Sequence, residues 1–163
     1  MANPKIKIVV KNYGTMTAEL YPEMAPKTVE NFLKLANEKF FDGLIFHRVI
    51  KGFMIQGGGY TEDMTDKDTA SIKGEFAANG VKNDLKHTRG VISMARSMNP
   101  NSAGSQFFIM HENAPHLDGQ YAAFGKMTDG FETLDEIATT KTGYGDRPMF
   151  DMVIKTITVE DVE

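Results

Sequence analysis

An arginine and a glutamine stand among large apolar side chains in residues 46–58, Phe46-His-Arg-Val-Ile-Lys-Gly-Phe-Met-Ile-Gln-Gly-Gly58. They lie on two short strand-like runs joined by Lys51-Gly52. Alternate residues of a strand share a face, so Phe46, Arg48 and Ile50 are expected on one side, and His47 and Val49 on the other. On the next run Met54 and Gln56 align opposite Phe53 and Ile55, and on a third run Gln106, Phe108 and Met110 align. Each run offers a hydrogen-bonding side chain beside apolar ones. A guanidinium stays protonated and presents several donors in one plane. An apolar pocket with such a group at its edge can act on an uncharged substrate without nucleophile, metal or cofactor. The same spacing also describes ordinary core strands with polar edges, and periodicity alone leaves both readings open.

Other chemistries find less support. The four histidines, His47, His87, His111 and His116, do not form a His-Glu-x-x-His pattern or similar ligand spacing, so no metal site is expected. Gly57-Gly-Gly59 lacks the spacing and the following helix of a nucleotide loop, and no Gly-x-Ser-x-Gly elbow points to a hydrolase. With no cysteine, disulfides and thiolate zinc sites are excluded. The 18 Lys and Arg against 22 Asp and Glu give a net charge of −4, without the basic excess of a nucleic-acid binder. No run approaches the length of a membrane span, and the apolar residues after Met1 alternate and are too few for a signal peptide. A cytoplasmic, monomeric protein is the expectation.

The elements that must position these residues can be outlined. Ile6, Ile8 and Val10, then Met16, Ala18 and Leu20, alternate about Asn12-Tyr13-Gly14 and predict an opening hairpin. Pro26 suits a first helical turn, and Val29, Phe32, Leu33, Ala36 and Phe40 follow on one helical face. Strands are expected over Ile45–Ile50, Phe53–Gln56, Val91–Ala95, Gln106–Met110, Ala122–Lys126 and Met152–Val159, with a second helix over Phe131–Ala138. Residues 57–90 and 96–104 are polar, rich in Gly and Asn, and read as loops. About eight short strands with two helices and no βαβ spacing predict an antiparallel barrel or sandwich in one domain, residues 1–163.

The segment Phe46–Gly58 resembles the signature of the cyclophilin family of peptidyl-prolyl cis–trans isomerases. Lys86-His-Thr-Arg-Gly-Val-Ile-Ser-Met-Ala95, Gly104-Ser-Gln-Phe-Phe108, Leu117-Asp-Gly119 and Phe124-Gly-Lys126 follow in that family's order. The opening hairpin, Ala25-Pro-Lys-Thr-Val-Glu-Asn-Phe32 and the last strand also match, so the resemblance covers essentially the whole chain. It implies a mainly β fold, a closed eight-stranded antiparallel barrel capped by two helices, with a groove on its outer face. It also implies cofactor-free catalysis on proline-containing polypeptides.

By the same resemblance Arg48 is the catalytic arginine, with Phe53 and Gln56 beside it. Phe53, Met54, Phe108 and Leu117 match the walls of a proline pocket. Gln56 and Gln106 match polar groove residues, and Ala95 and Arg96 a stretch that holds substrate backbone. Three departures stand out. His116 occupies a position where the family often has tryptophan, and Tyr121 one where histidine is common. Arg96-Ser-Met-Asn-Pro100 runs one residue longer than the common form. These changes imply altered groove contacts at His116 and Tyr121 and weakened affinity for the inhibitor cyclosporin. The alternative reading is a proline-binding chaperone or scaffold module with little catalysis.

Overall fold

Strands β1 (Lys5–Val10) and β2 (Gly14–Leu20) form the expected opening hairpin, with Asn12 in the left-handed region at its turn (φ 70°). The computed structural model describes residues 3–160, so Met1 and the ends of the predicted 1–163 domain lie outside the described residues. The other strands are β3 (Arg48–Ile50), β4 (Met54–Gly57), β5 (Val91–Met94), β6 (Phe107–Met110), β7 (Ala123–Asp129) and β8 (Ile154–Glu160). The two helices are α1 (Pro26–Asn37) and α2 (Phe131–Ala138). All eight strands join one antiparallel sheet in the order β3-β4-β6-β5-β7-β2-β1-β8.

The closed barrel expected from the sequence is corrected to a curled, open half-barrel. β3 and β8 are the two ends of the ladder and do not pair as strands. The irregular segment before β3 meets the start of β8 instead, through Gly43 N to Ile154 O, Phe46 N to Met152 O and Ile154 N to Leu44 O, at 2.7–3.0 Å. Among the described residues, the seam carries isolated bridging at Ile45 and Val153 in place of a strand ladder. The physical cause is that residues 46 and 47 leave extended pairing before Arg48, which shortens the predicted Ile45–Ile50 strand to three residues.

That irregularity also overturns one predicted face. Phe46 does not share a side with Arg48; it is fully buried in the inner core with Val49. Inside the curl, Phe32 of α1 meets Phe41, Phe107 and Phe124 at ring-centroid distances of 4.9, 5.4 and 5.2 Å. α2 packs against β2, β3 and β4. Helix α1 ends at Asn37, short of the predicted Phe40. Lys39 turns left-handed (φ 59°), and Phe40 N reaches Leu35 O (2.9 Å) while Lys39 N reaches Ala36 O (3.1 Å). This pair of bonds is the Schellman arrangement, here without its usual glycine.

The long 57–90 stretch is pinned down by polar bonds to the body. Glu75, 4% exposed, accepts from both Thr28 N (2.6 Å) and Thr28 Oγ1 (2.8 Å). It thereby satisfies a donor in the first turn of α1, whose amides have no partner within the helix. Asn83 Nδ2 donates to Glu75 O and to Ala123 O, each at 2.9 Å.

Candidate functional site

The sheet register assembles the outer face row by row. Arg48 pairs with Gln56, Gln56 with Phe108, and Phe108 with Ser93, forming one transverse row across β3, β4, β6 and β5. Ile50, Met54 and Met110 form the next row. Alternation sends Ile55, Phe107 and Ile109 to the inner core, whereas Met54, Phe108 and Met110 join Val91, Ala114, Leu117 and Ala123 in a separate outer cluster. The sheet thus has apolar side chains on both faces, and the outer set lies beside Arg48.

Loops complete the walls. Phe53 was expected opposite Met54, with Ile55, but it belongs to the turn before β4 and packs with the outer cluster. Leu117, 8% exposed, ends a short 3₁₀ turn, Pro115–Leu117, and Tyr121 meets Phe108 edge-on at 5.6 Å. A hollow of about 150 Å³ results, lined by Arg48, Phe53, Met54, Gln56, Ala95, Arg96, Phe108, Leu117 and Tyr121. Two of the predicted residues stand just outside it. His116 is exposed at the rim with its ring stacked on Phe53 (5.9 Å, 28°). Gln106 lines an adjoining hollow of about 350 Å³ that shares Gln56, Ala95 and Arg96 with the first.

The polar side chains at this edge differ in freedom. Arg48 Nη1 donates to Gln56 Oε1 at 3.5 Å, a contact at the outer limit for a hydrogen bond. Gln56 Nε2 in turn donates to Gln106 Oε1 at 3.0 Å. The bare backbone at Gly59 makes room for this, because a Cβ there would lie 2.3 Å from Gln106 Cγ. Among the described residues, Arg89 and Arg147 have carboxylate partners and Arg48 has none. Its guanidinium is exposed, and Gln56 takes one donor at the long distance just given.

Arg96, in contrast, is held by several partners. Its guanidinium carbon lies 4.8 Å from the ring centres of both Phe76 and Tyr121, and Nη2 donates to Gln120 O at 2.8 Å. This side chain is structural cement for the 95–97 backbone. Phe76 and Gln120 are partners that the strand pattern did not expose, since both lie in segments without periodicity.

Behind the apolar wall sits His87, 1% exposed and stacked on Phe108 at 6.0 Å. Burial holds its pKa below the ordinary histidine value, against the opposing pull of Asp118. The neutral ring donates from Nδ1 to Asp118 Oδ1 (3.1 Å) and accepts at Nε2 from Ser93 Oγ (2.9 Å). The order Ser–His–Asp is that of a hydrolase triad. Ser93 is fully buried, however, so no substrate reaches its hydroxyl. The bonds brace Leu117, next to Asp118, against β5. Among the described residues no group of three His, Asp or Glu is arranged to hold a metal, and no helix is long and apolar enough to cross a membrane.

Comparison with known proteins agrees with this architecture. Residues 5–159 match the family described as cyclophilin type peptidyl-prolyl cis-trans isomerase/CLD. A peptidyl-prolyl cis-trans isomerase of Arabidopsis thaliana is 46% identical over 149 residues, covering 91% of each chain. The human peptidyl-prolyl cis-trans isomerase-like 3 is 45% identical over 148 residues, covering 90% of each. The crystal structure of a Cryptosporidium parvum cyclophilin-type isomerase superposes with a TM-score of 0.84 at 33% identity, over 99% of both chains. A second structure of that protein, obtained in the presence of the dipeptide Ala-Pro, gives 0.83 at 34% identity over 97% of this chain and 99% of the other. The chain belongs to the cyclophilin-type peptidyl-prolyl cis–trans isomerase family.

Proposed function

We propose that the outer hollow catalyses rotation about X–Pro peptide bonds in proline-containing polypeptides and so assists slow folding steps. The apolar wall of Phe53, Met54, Phe108 and Leu117 holds the pyrrolidine ring, and Arg48 acts on the amide. The observation that carries this is the row Arg48–Gln56–Phe108, in which a guanidinium without a carboxylate partner borders a hollow of about 150 Å³ walled in part by Phe53, Met54, Phe108 and Leu117.

The chemistry follows from amide resonance. The barrier to rotation is about 18–20 kcal/mol, and uncatalysed exchange takes roughly 10–100 s. Reaching milliseconds needs about four decades, or roughly 5–6 kcal/mol. As the amide twists, its nitrogen regains a lone pair and becomes a hydrogen-bond acceptor. A donor aimed there binds the rotated state better than the planar one, which is the condition for catalysis. Gln56, tethered to Gln106, restrains Arg48 on one side. The backbone at Ala95 and Arg96 offers an edge for the substrate chain.

His116 supplies a smaller ring at the rim than the tryptophan common in relatives, and Tyr121 is tied to the Arg96 stack. Cyclosporin is accordingly expected to bind weakly. The protein acts in the cytoplasm as a monomer on proline-containing polypeptides and needs no cofactor for this chemistry. A protease-coupled assay on an Ala-Pro-Phe peptide tests the central claim. Arg48→Ala should lose at least about two decades of turnover, equivalent to about 2.7 kcal/mol, while peptide binding is largely retained. Unchanged turnover would reduce the groove to a proline-binding module.

A further inference from the structure

Outside the hollow, one polar cluster grips the turn between β3 and β4. His111 follows the last residue of β6 and is 8% exposed. Gly52 N donates to its Nδ1 at 2.9 Å, and its Nε2 lies 3.1 Å from Asp135 Oδ1 on α2. Asp135 is held by both guanidinium nitrogens of Arg89 (2.7 and 2.9 Å), and Arg89 Nη1 also donates to His111 O (3.1 Å). The Arg89 hydrogen bonds keep the Asp135 carboxyl below the usual range. An ionised acceptor at Nε2 puts the ring proton there, which leaves the Nδ1 lone pair for the Gly52 amide.

The turn so held has three residues, since Ile50 pairs with Met54. Gly52 at its tip is left-handed (φ 79°), and Phe53 N closes back on Ile50 O (3.0 Å). Phe53 O accepts from His111 N at 2.9 Å. One residue therefore clamps the turn twice, by its main chain at Phe53 and by its ring at Gly52. The turn joins the strand of Arg48 to the strand of Met54 and Gln56, and it carries the Phe53 wall.

We propose that His111 is a positioning residue for the prolyl site: its Nδ1 fixes the Lys51–Gly52 turn and, through it, the Phe53 ring against which proline packs. This rests on the functional reading above. Phe53 touches the ring in planar and twisted states alike, so loosening it should raise KM and spare kcat. Two substitutions in the full chain separate the ring's two bonds. An asparagine amide oxygen falls near the place of Nδ1 and can accept from Gly52, whereas a glutamine amide reaches toward Asp135 and leaves Gly52 without its acceptor.

The test is steady-state kinetics on an Ala-Pro-Phe peptide with amide exchange at Gly52 by NMR. His111→Gln should raise KM about fivefold, the equivalent of one ordinary hydrogen bond, leave kcat unchanged, and speed Gly52 exchange. His111→Asn should restore both readouts. Wild-type KM in His111→Gln, an equal rise in both variants, or a loss confined to kcat would overturn the proposal. Should His111→Gln fail to fold, the wild-type protein still decides. A scalar coupling between Gly52 N and His111 Nδ1 is expected, and its absence overturns the clamp. An inactive wild-type protein would instead sink the functional reading itself.

Discussion

At the scale of single residues, the four arginines divide by what holds them. Arg89 and Arg147 face carboxylates, Arg96 lies between two aromatic rings, and Arg48 keeps a single long contact to Gln56. In the proposed mechanism a loosely held fork is free to follow the amide nitrogen as it turns pyramidal. Charge alone is insufficient for that task, because an ammonium offers no planar pair of donors. Arg48→Lys is therefore expected to lose at least about tenfold in kcat/KM, corresponding to about 1.4 kcal/mol of transition-state stabilisation. A protease-coupled assay at matched substrate concentrations reads this directly, and a near-normal lysine variant would show that position and charge suffice.

At the scale of elements, the long 57–90 segment behaves as a strap held by Glu75. Replacing Glu75 with alanine leaves two donors of Thr28 buried without a partner. The expected cost is about 1–3 kcal/mol, read as a lower urea midpoint, with a smaller loss in Glu75→Gln because one oxygen acceptor remains. Much of this level was legible from residue spacing. The opening hairpin and α2 have the predicted positions, and alternation correctly grouped Arg48 with Ile50, Met54 with Gln56, and Phe108 with Met110, while the register that joins these groups on one side was not legible. The misplaced residues flank bends. Phe46 precedes the start of β3 and Phe53 sits in the turn, where a period of two no longer fixes direction. The Glu75–Thr28 bond, the Phe76 and Tyr121 sandwich around Arg96, and the His111 clamp join segments distant in sequence. No local pattern reports such pairings.

At the scale of the whole molecule, the sheet's curl brings its ends together without pairing them, and His47 lies beside that seam. Its Nδ1 is buried without a hydrogen-bond partner, and its ring packs on Tyr60 at 4.7 Å. Burial first, then Arg48 and Arg147, lowers its pKa from 6.5 to about 4. Between those values the unfolded chain binds a proton that the folded one refuses. The stability from the neutral ring is thus complete above pH 6.5 and is lost as pH falls through about 4. Urea midpoints should decline from pH 6.5 to 5, above the range where ordinary carboxylates titrate. His87, also held below 6.5 by burial, adds to this decline, so His47→Phe should make the slope shallower without abolishing it, and an unchanged slope would assign it to other groups.

The seam has a consequence for how this enzyme would fail on heating. β3 has a ladder neighbour on one side only, and it is three residues long. Border segments with few main-chain links open at lower free energy than interior ones. Inactivation by warming should therefore precede the cooperative melt, with catalysis fading while far-ultraviolet circular dichroism stays native. Coincident curves would mean that the border holds as firmly as the centre. The same looseness would let the guanidino arm be lifted and reset between turnovers, so heat tolerance and speed would be traded at one short ribbon.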